Sequence, residues 1–338
     1  MTRPQRDQLL ALVQRFFDEH LRRVRGASKH TIRAYRDALT LFFCFLAKEA
    51  RRSVADLRLD DIRVEAVLAF LNHVEASRGN SVVTRNCRLA AIRSFVDHLL
   101  RHDVARAEQY GRILATPAKR SVVRPASYLE PEEARAVIAT VDPKASNGLR
   151  DRALLLLLYN AGARISEALA LRLRDLHLER PRQVRVLGKG GKERLCPIWP
   201  ETAAALRQLL EHAPPALDEF VFRNARGGPL TRDGAAYLLK KYAQRAAASM
   251  PSLRRRRITP HVLRHSCAVA LLQSGVGLTV IRDYLGHASV ATTNRYVTSN
   301  LKMKREVLEG FWKRAGLEPG PRTRWRPTPK LLGFLASL

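Results

Sequence analysis

Residues 149–159 read LRDRALLLLLY, an almost unbroken apolar run. It falls well short of the roughly 20 residues needed to span a bilayer, so it reads as a helix buried inside a folded domain. Gly162 follows, the residue type that most readily ends a helix in the left-handed conformation. Arg164 then lies close to a buried helix end, where an arginine needs a counter-charge. Glu167, three residues on, can supply it as an internal salt bridge; the other reading holds Arg164 ready for an external anion.

A second stretch, from Thr259 to Tyr296, reads TPHVLRHSCAVALLQSGVGLTVIRDYLGHASVATTNRYV. Thr259 can cap a helix and Pro260 suits its first position. His261 and Arg264 are spaced i, i+3 and share one helical face. His265 is expected to face another side, as a packing neighbour. His287 follows in Leu-Gly-His, and Tyr296 comes nine residues later. These groups can surround one phosphate. A guanidinium grips two oxygens with a planar fork, histidines donate hydrogen bonds or move protons near neutral pH, and a tyrosine hydroxyl can attack phosphorus. Tyr284 is a second candidate nucleophile, read instead as a packing residue of the helix before the turn. Upstream, Val184–Leu187 and Arg194–Ile198 read as two short strands, with Gly188–Gly191 as a hairpin turn. Most GKGG turns are surface hairpins with a solvated lysine.

These strings together resemble the tyrosine recombinase (phage integrase) family, and within it the Xer-like recombinases. Asn160-Ala-Gly-Ala-Arg164-Ile-Ser-Glu167 looks like that family's first-arginine motif, and Gly188-Lys189-Gly190-Gly191-Lys192-Glu193-Arg194 like its lysine hairpin. The order Arg164, Lys189, His261, Arg264, His287, Tyr296 is the family order, and the match covers roughly residues 128–315. The resemblance implies a mainly α fold with a small β-hairpin or sheet. An N-terminal helical bundle, SAM-like and core-binding, would precede a tyrosine recombinase catalytic domain. It implies Tyr296 as the nucleophile on a DNA phosphodiester and Arg164 and Arg264 as clamps on the non-bridging oxygens. His261 and His287 would assist by proton transfer or hydrogen bonding. Lys189 would protonate the leaving 5′ oxygen, with Lys192 as the alternative, and Glu167 would orient Arg164 or a neighbour. It implies neither metal nor nucleotide cofactor, and no Walker A loop or acidic metal cluster stands in the sequence. Around Tyr296 the chain reads Thr292-Thr293-Asn294-Arg295-Tyr296-Val297-Thr298, whereas many relatives place a further histidine soon after the tyrosine.

Charge supplies an independent argument. The 338 residues include 60 Lys+Arg against 31 Asp+Glu, a formal net charge of +29, which favours a polyanionic partner. Double-stranded DNA is the expected one; charge alone also fits an anionic membrane surface. Apolar periodicity places helices at 5–24 and 31–48, a third capped by Asp60 or Asp61, and a fourth opening at Ser81. Their polar faces are expected to carry Lys29, Arg33, Arg36, Arg85, Arg88 and Arg93, either solvated or touching DNA phosphates. Arg254, Arg255, Arg256 and Arg257 form a basic run with the same two readings. The expected organisation is a helical DNA-binding domain over 1–116, an extended linker over 117–127, a catalytic domain over 128–316 and a tail over 317–338. Four scattered cysteines without a CxxC pair read as reduced thiols. With no signal-peptide pattern and no apolar stretch long enough for a membrane span, a cytoplasmic location is expected.

The function expected from this reading is site-specific DNA recombination or integration through a 3′-phosphotyrosyl intermediate, for a mobile element or for chromosome or plasmid resolution. A type IB-like DNA relaxing enzyme and a non-catalytic DNA-binding protein of the same fold are the alternatives. Action as a homotetramer on DNA, or beside related recombinase protomers, is expected. The apolar end of the tail, Leu331, Phe334 and Leu335, is expected to dock on protein. Deleting residues 319–338 should therefore abolish cooperative synapsis and spare single-site binding in gel-shift assays; synapsis that survives the deletion rejects the docking role.

Overall fold

The computed structural model describes residues 4–121 and 127–286. The chain divides into two compact units, Met1–Val123 and Arg124–Leu338. Both are mainly helical, and the second adds a small antiparallel sheet.

In the first unit, α1 (Pro4–Arg15) continues directly into a π-helical segment, Phe16–Val24. One uniform helix over 5–24 was the sequence expectation; the backbone instead widens at Phe16. The wider winding brings residues five apart into line. Phe16 and Leu21, both fully buried, are spaced that way, and Arg25 N–H donates to His20 O at 2.9 Å. Ser28 caps α2 (Lys29–Glu49) by accepting from Thr31 N, and Ser81 caps α4 (Val82–Leu100) by accepting from Thr84 N, both at 3.2 Å. Neither Asp60 nor Asp61 caps α3 (Val64–Ala76), which begins after Arg63 without a side-chain cap. Asp61 instead accepts from Arg58 N at 2.8 Å and closes a preceding 3₁₀ turn, Leu59–Asp61. With α5 (Ala107–Leu114), these helices bury Phe16, Phe42, Phe70, Ile92 and Phe95 in one core. The stretch expected to be a linker from residue 117 is tied back to this unit at Lys119. The Asn86 side-chain amide accepts from Lys119 N (3.1 Å) and donates to Lys119 O (2.8 Å), as a β-strand neighbour would, and the Lys119 ammonium sits 3.1 Å from Glu75.

In the second unit, α6 (Pro131–Ala139) starts with Glu133 accepting from Glu130 N at 3.0 Å. The apolar run forms α7 (Gly148–Ala161), in which every residue but Leu149 and Arg152 is buried. A short α8 (Ile165–Ala168) follows. The sheet has the order β1–β2–β3, with β1 at Leu176–His177, β2 at Gln183–Leu187 and β3 at Glu193–Pro197. Val184 pairs with Cys196 and Leu187 with Glu193, so Val184, Val186 and Cys196 turn inward. The two strands of the hairpin match the expectation; β1 was not expected, because two residues carry no alternation to read. Next come α9 (Pro200–His212), α10 (Arg232–Ala246), α11 (Pro260–Gln273) and α12 (Leu278–Leu285). Helices α6, α9 and α11 all pack on α7, which explains why its sequence is apolar around its whole circumference.

Gly162 ends α7 with φ +54°, and a Cβ placed there would lie 2.4 Å from Leu285 Cδ2 and 3.1 Å from Cys267 Sγ. Three elements therefore meet at a position that only glycine fills. Gly162→Ala combines left-handed strain with overpacking, and is expected to cost about 2–4 kcal/mol in denaturant unfolding. A loss below about 0.5 kcal/mol, the usual size of a surface substitution, would reject this packing.

His98 of α4 supplies a pH test. It is buried among the rings of Phe16, His20 and His102, and among the described residues its Nε2 has no hydrogen-bond partner. Burial, with the positive charges of His102, His20, Arg15 and Arg101, lowers its pKa to about 4. The folded value lies below the unfolded one, so this contribution is present above the ordinary histidine value of 6.5 and is lost as pH falls toward about 4. His98→Phe keeps the ring and removes the titration. Thermal melts between about pH 7 and pH 4.5 should show a flatter acid limb in this variant, and parallel limbs would contradict the assignment.

Candidate active site

Three arginines from distant parts of the second unit meet at one helix end. Arg164 stands at the start of α8, where its backbone N–H donates to Glu167 Oε2 at 2.9 Å and its Nη1 donates to Glu167 Oε1 at 2.7 Å. Its Nη2 reaches Gly286 O at 3.3 Å. Arg264, on α11, is 1% exposed and donates from Nη1 to Gly162 O (2.6 Å) and from Nη2 to Leu285 O (2.7 Å). Arg194, on β3, donates from Nε to Tyr284 O (3.1 Å) and from Nη2 to Glu167 Oε2 (2.7 Å). Three consecutive carbonyls at the C-terminus of α12, those of Tyr284, Leu285 and Gly286, thus each accept from a different guanidinium.

The physical reason lies in the helix end itself. The last carbonyls of a helix lack intrahelical partners and carry the negative end of its dipole. Cations satisfy both needs at once. Glu167 sits between Arg164 and Arg194 and is 6% exposed. Burial pushes its carboxyl up in pKa. Hydrogen bonds from Arg194, from the Arg164 backbone and from the Arg164 guanidinium outweigh that and hold it below the ordinary glutamate value. The cluster thus sets two guanidinium groups, those of Arg164 and Arg194, on one carboxylate, with Arg264 held by carbonyls at the same helix end. The side chain of Arg164 keeps 38% of its surface open to solvent. A positive, partly open site of this kind suits an oxyanion with several oxygens.

The helix that carries Arg264 begins as its sequence indicated: Thr259 Oγ1 accepts from Val262 N at 3.3 Å, and Pro260 occupies the first turn. His261 lies exposed in that turn. His265 does not face another side, contrary to expectation. Four residues make about one helical turn, and the His261 and His265 rings stand 4.2 Å apart, edge to face. Tyr284 is a packing residue: its hydroxyl donates to Asn160 O at 2.9 Å, and burial pushes its phenol well above the ordinary tyrosine pKa. Asn160 also accepts from Trp199 N at 2.7 Å, so it ties the end of α7 to the start of α9. Lys189 lies in the turn between β2 and β3. His287, Tyr296, Leu331, Phe334 and Leu335 lie outside the described residues. Sequence reasoning missed Arg194 as a site residue. The hairpin string contains it, but its partners Glu167 and Tyr284 lie 27 and 90 positions away and no local pattern announces them.

The basic positions separate into two kinds. Lys29, Arg33 and Arg36 are exposed and line one groove with Phe17, Arg22 and Ile32. Arg254, Arg255 and Arg257 are likewise exposed, beside Tyr237, Lys240 and Gln244. Arg85 is not on a polar face: it is 7% exposed, with Nε 3.3 Å from Glu75. Arg256 pairs with Glu133 at 2.9 Å and donates to Tyr128 O, fastening the start of α6 to the chain ahead of α11. Arg93 donates to Leu114 O at 2.5 Å, at the end of α5. Arg88 is half-buried, and burial with the neighbouring Arg78 lowers its pKa. Helix periodicity shows which residues lie near one another but not which acid waits across an interface, so these structural arginines looked like the rest. Among the described residues, no group of His, Cys, Asp or Glu is arranged to hold a metal ion, and no helix is long and apolar enough to cross a membrane.

Comparison with known proteins gives the site its context. The phage integrase family matches residues 127–325, and the phage integrase N-terminal SAM-like domain matches residues 13–103. A protein of Sinorhizobium fredii, provisionally named integrase/recombinase y4rC, is 37% identical over 330 residues, covering 98% of each chain. Tyrosine recombinase XerC of Pelobacter propionicus is 34% identical over 298 residues, covering 87% of this chain and 93% of its own. The solved structure of XerH site-specific recombinase bound to palindromic difH substrate, a post-cleavage complex, shares the fold. Its TM-score is 0.68 at 23% identity, over 88% of this chain and 84% of that one. A family match across more than half of the chain, with relatives this similar along nearly its whole length, shows that the chain belongs to the phage integrase family and is a tyrosine recombinase, an enzyme that breaks and rejoins DNA strands by transesterification.

Proposed function

We propose that this chain is a site-specific recombinase or integrase of double-stranded DNA, serving a mobile element or the resolution of chromosomes or plasmids. The observation that carries the reading is the convergence of Arg164 and Arg264 on the end of α12, one residue ahead of His287 in the sequence. In this reading Tyr296 attacks a phosphodiester phosphorus and its phenolic proton leaves. The bond to the 5′ oxygen breaks, and that oxygen departs as a hydroxyl after taking a proton from Lys189. The 3′-phosphate stays joined to Tyr296. Arg164 and Arg264 stabilise charge on the non-bridging oxygens, His261 receives the tyrosine proton or binds a phosphate oxygen, and His287 adds a hydrogen bond in the transition state. A 5′-hydroxyl from a partner duplex then attacks the phosphotyrosine and frees Tyr296. The bond energy is conserved in the intermediate, so resealing needs no nucleotide.

The surfaces fit the same reading. The groove of Lys29, Arg33 and Arg36, and the exposed Arg254, Arg255 and Arg257, supply cations for phosphates without reading bases. In domain terms, residues 1–116 bind DNA, 117–127 connect, 128–316 carry the chemistry, and 317–338 dock on a neighbouring protomer in a tetramer or beside a related recombinase. The enzyme acts in the cytoplasm.

Covalent trapping tests the chemistry. Wild-type chain incubated with nicked suicide duplexes from its flanking DNA should yield a protein–DNA adduct on the 3′ side. Tyr296→Phe should abolish the adduct while retaining DNA binding, and Arg164→Ala or Arg264→Ala should slow its formation by at least about 10²-fold. An adduct that persists in Tyr296→Phe removes Tyr296 as the nucleophile. Binding without an adduct on any such duplex overturns the proposed reaction.

A further inference from the structure

The Arg194 guanidinium occupies a position that no catalytic role accounts for. It is the first inward-facing side chain of β3 after the lysine turn, paired across the hairpin with Val186, and only 12% of it is exposed. It bonds to Glu167 on one side and to the Tyr284 carbonyl on the other. Two glycines pack against it. A Cβ on Gly188 would lie 3.6 Å from Arg194 Nη1 and 3.7 Å from Glu167 Oε1, and a Cβ on Gly286, with φ +65°, would lie 3.0 Å from the same nitrogen. Gly188 immediately precedes Lys189, and Gly286 immediately precedes His287. One guanidinium therefore sits between the two glycines that precede Lys189 and His287 in the sequence.

We propose that Arg194 is a positioning residue that anchors the base of the lysine hairpin to the C-terminal end of α12, and so sets where Lys189 delivers its proton. Among the described residues, the other ties across this junction are weaker. Cys196 Sγ approaches Tyr284 O at 3.9 Å, and the Tyr284 hydroxyl oxygen, whose proton goes to Asn160 O, lies 3.2 Å from Pro197 O, both farther from the turn. Arg194 reaches two partners at once because its donors lie in a rigid planar fork. A lysine ammonium has no such fork, and a methionine has no donor. Without the anchor, the hairpin base keeps its strand pairing with β2 but loses its fixed distance from α12. A displacement of about 1 Å in a group that must meet the leaving oxygen is enough to cost about 10²-fold in rate.

This inference rests on Lys189 as the proton donor to the 5′ oxygen, and the test separates the two claims. The full-length wild-type chain, Lys189→Ala, Arg194→Met and Arg194→Lys are compared on the trapping duplex and on the same duplex with sulfur in place of the bridging 5′ oxygen. A thiol is acidic, with a pKa of about 8.5, so the sulfur departs as thiolate without a proton donor. On the oxygen duplex both Arg194 variants should cleave about 10²-fold more slowly than wild type. On the sulfur duplex they should recover to within about tenfold, alongside Lys189→Ala, since proton donation is the contribution bypassed. Gel-shift binding to the uncleaved duplex identifies the folded variants, and Arg194→Lys, which keeps the charge, serves where Arg194→Met does not bind. Rescue of Lys189→Ala without rescue of the binding-competent Arg194 variant overturns the positioning role and leaves Arg194 as scaffold. Failure to rescue Lys189→Ala itself overturns the proton-donor reading beneath it.

Discussion

The end of a single short helix holds the second unit's chemistry together. Helix α12 finishes with three carbonyls that its own backbone cannot satisfy, and Arg194, Arg264 and Arg164 take them in turn. Each bond to a charged donor is worth about 1.5–3 kcal/mol, and leaving such a group unpaired in the interior costs more than the bond returns. The arrangement is therefore cooperative. The carbonyls hold Arg264 and Arg194 in the interior, and the arginines keep α12 pressed against the Gly162 corner, where Leu285 closes on the glycine. What is left over is positive charge directed toward solvent along Arg164.

Glu167 makes that crowding of cations tolerable. Guanidinium groups held this close repel one another, and a carboxylate bonded to Arg164 and Arg194 at 2.7 Å lowers the cost. It also removes their freedom to rotate. In the proposed function, Arg164 is thereby presented in a fixed orientation before a phosphate arrives, so little reorganisation would accompany binding. A site built to stabilise charge on an oxyanion works by this preorganisation more than by the number of charges it holds.

The same principle sorts the many other arginines. In a chain of +29, one expects most cations to be solvated or to face a polyanion. Several are instead structural. Arg85 answers Glu75, Arg256 fastens two segments through Glu133, and Arg93 closes the end of α5. The exposed remainder, in the groove around Lys29 and Arg33 and in the run around Arg255, is what the proposed function uses for long-range attraction to phosphates. Net charge describes the partner class, and burial decides which residues meet it.

Much of this was legible in the sequence because it is local. Thr259 and Ser81 cap helices through bonds that span three residues, and Gly162 marks a helix end through its own backbone freedom. The apolar run of α7 announces burial on every side, and the spacing of Arg164, Lys189, His261 and Arg264 announces a family. The tertiary structure decided what depends on distant partners. It widened the N-terminal helix at Phe16 so that Leu21 could share its core, set His261 against His265, and packed Tyr284 on Asn160. Above all it brought Arg194 to Glu167 and to the Tyr284 carbonyl, which are separated from it by 27 and 90 residues. Helical period and capping act within a few residues and can be read along the chain, whereas a buried charge takes its partner from whichever element folds beside it.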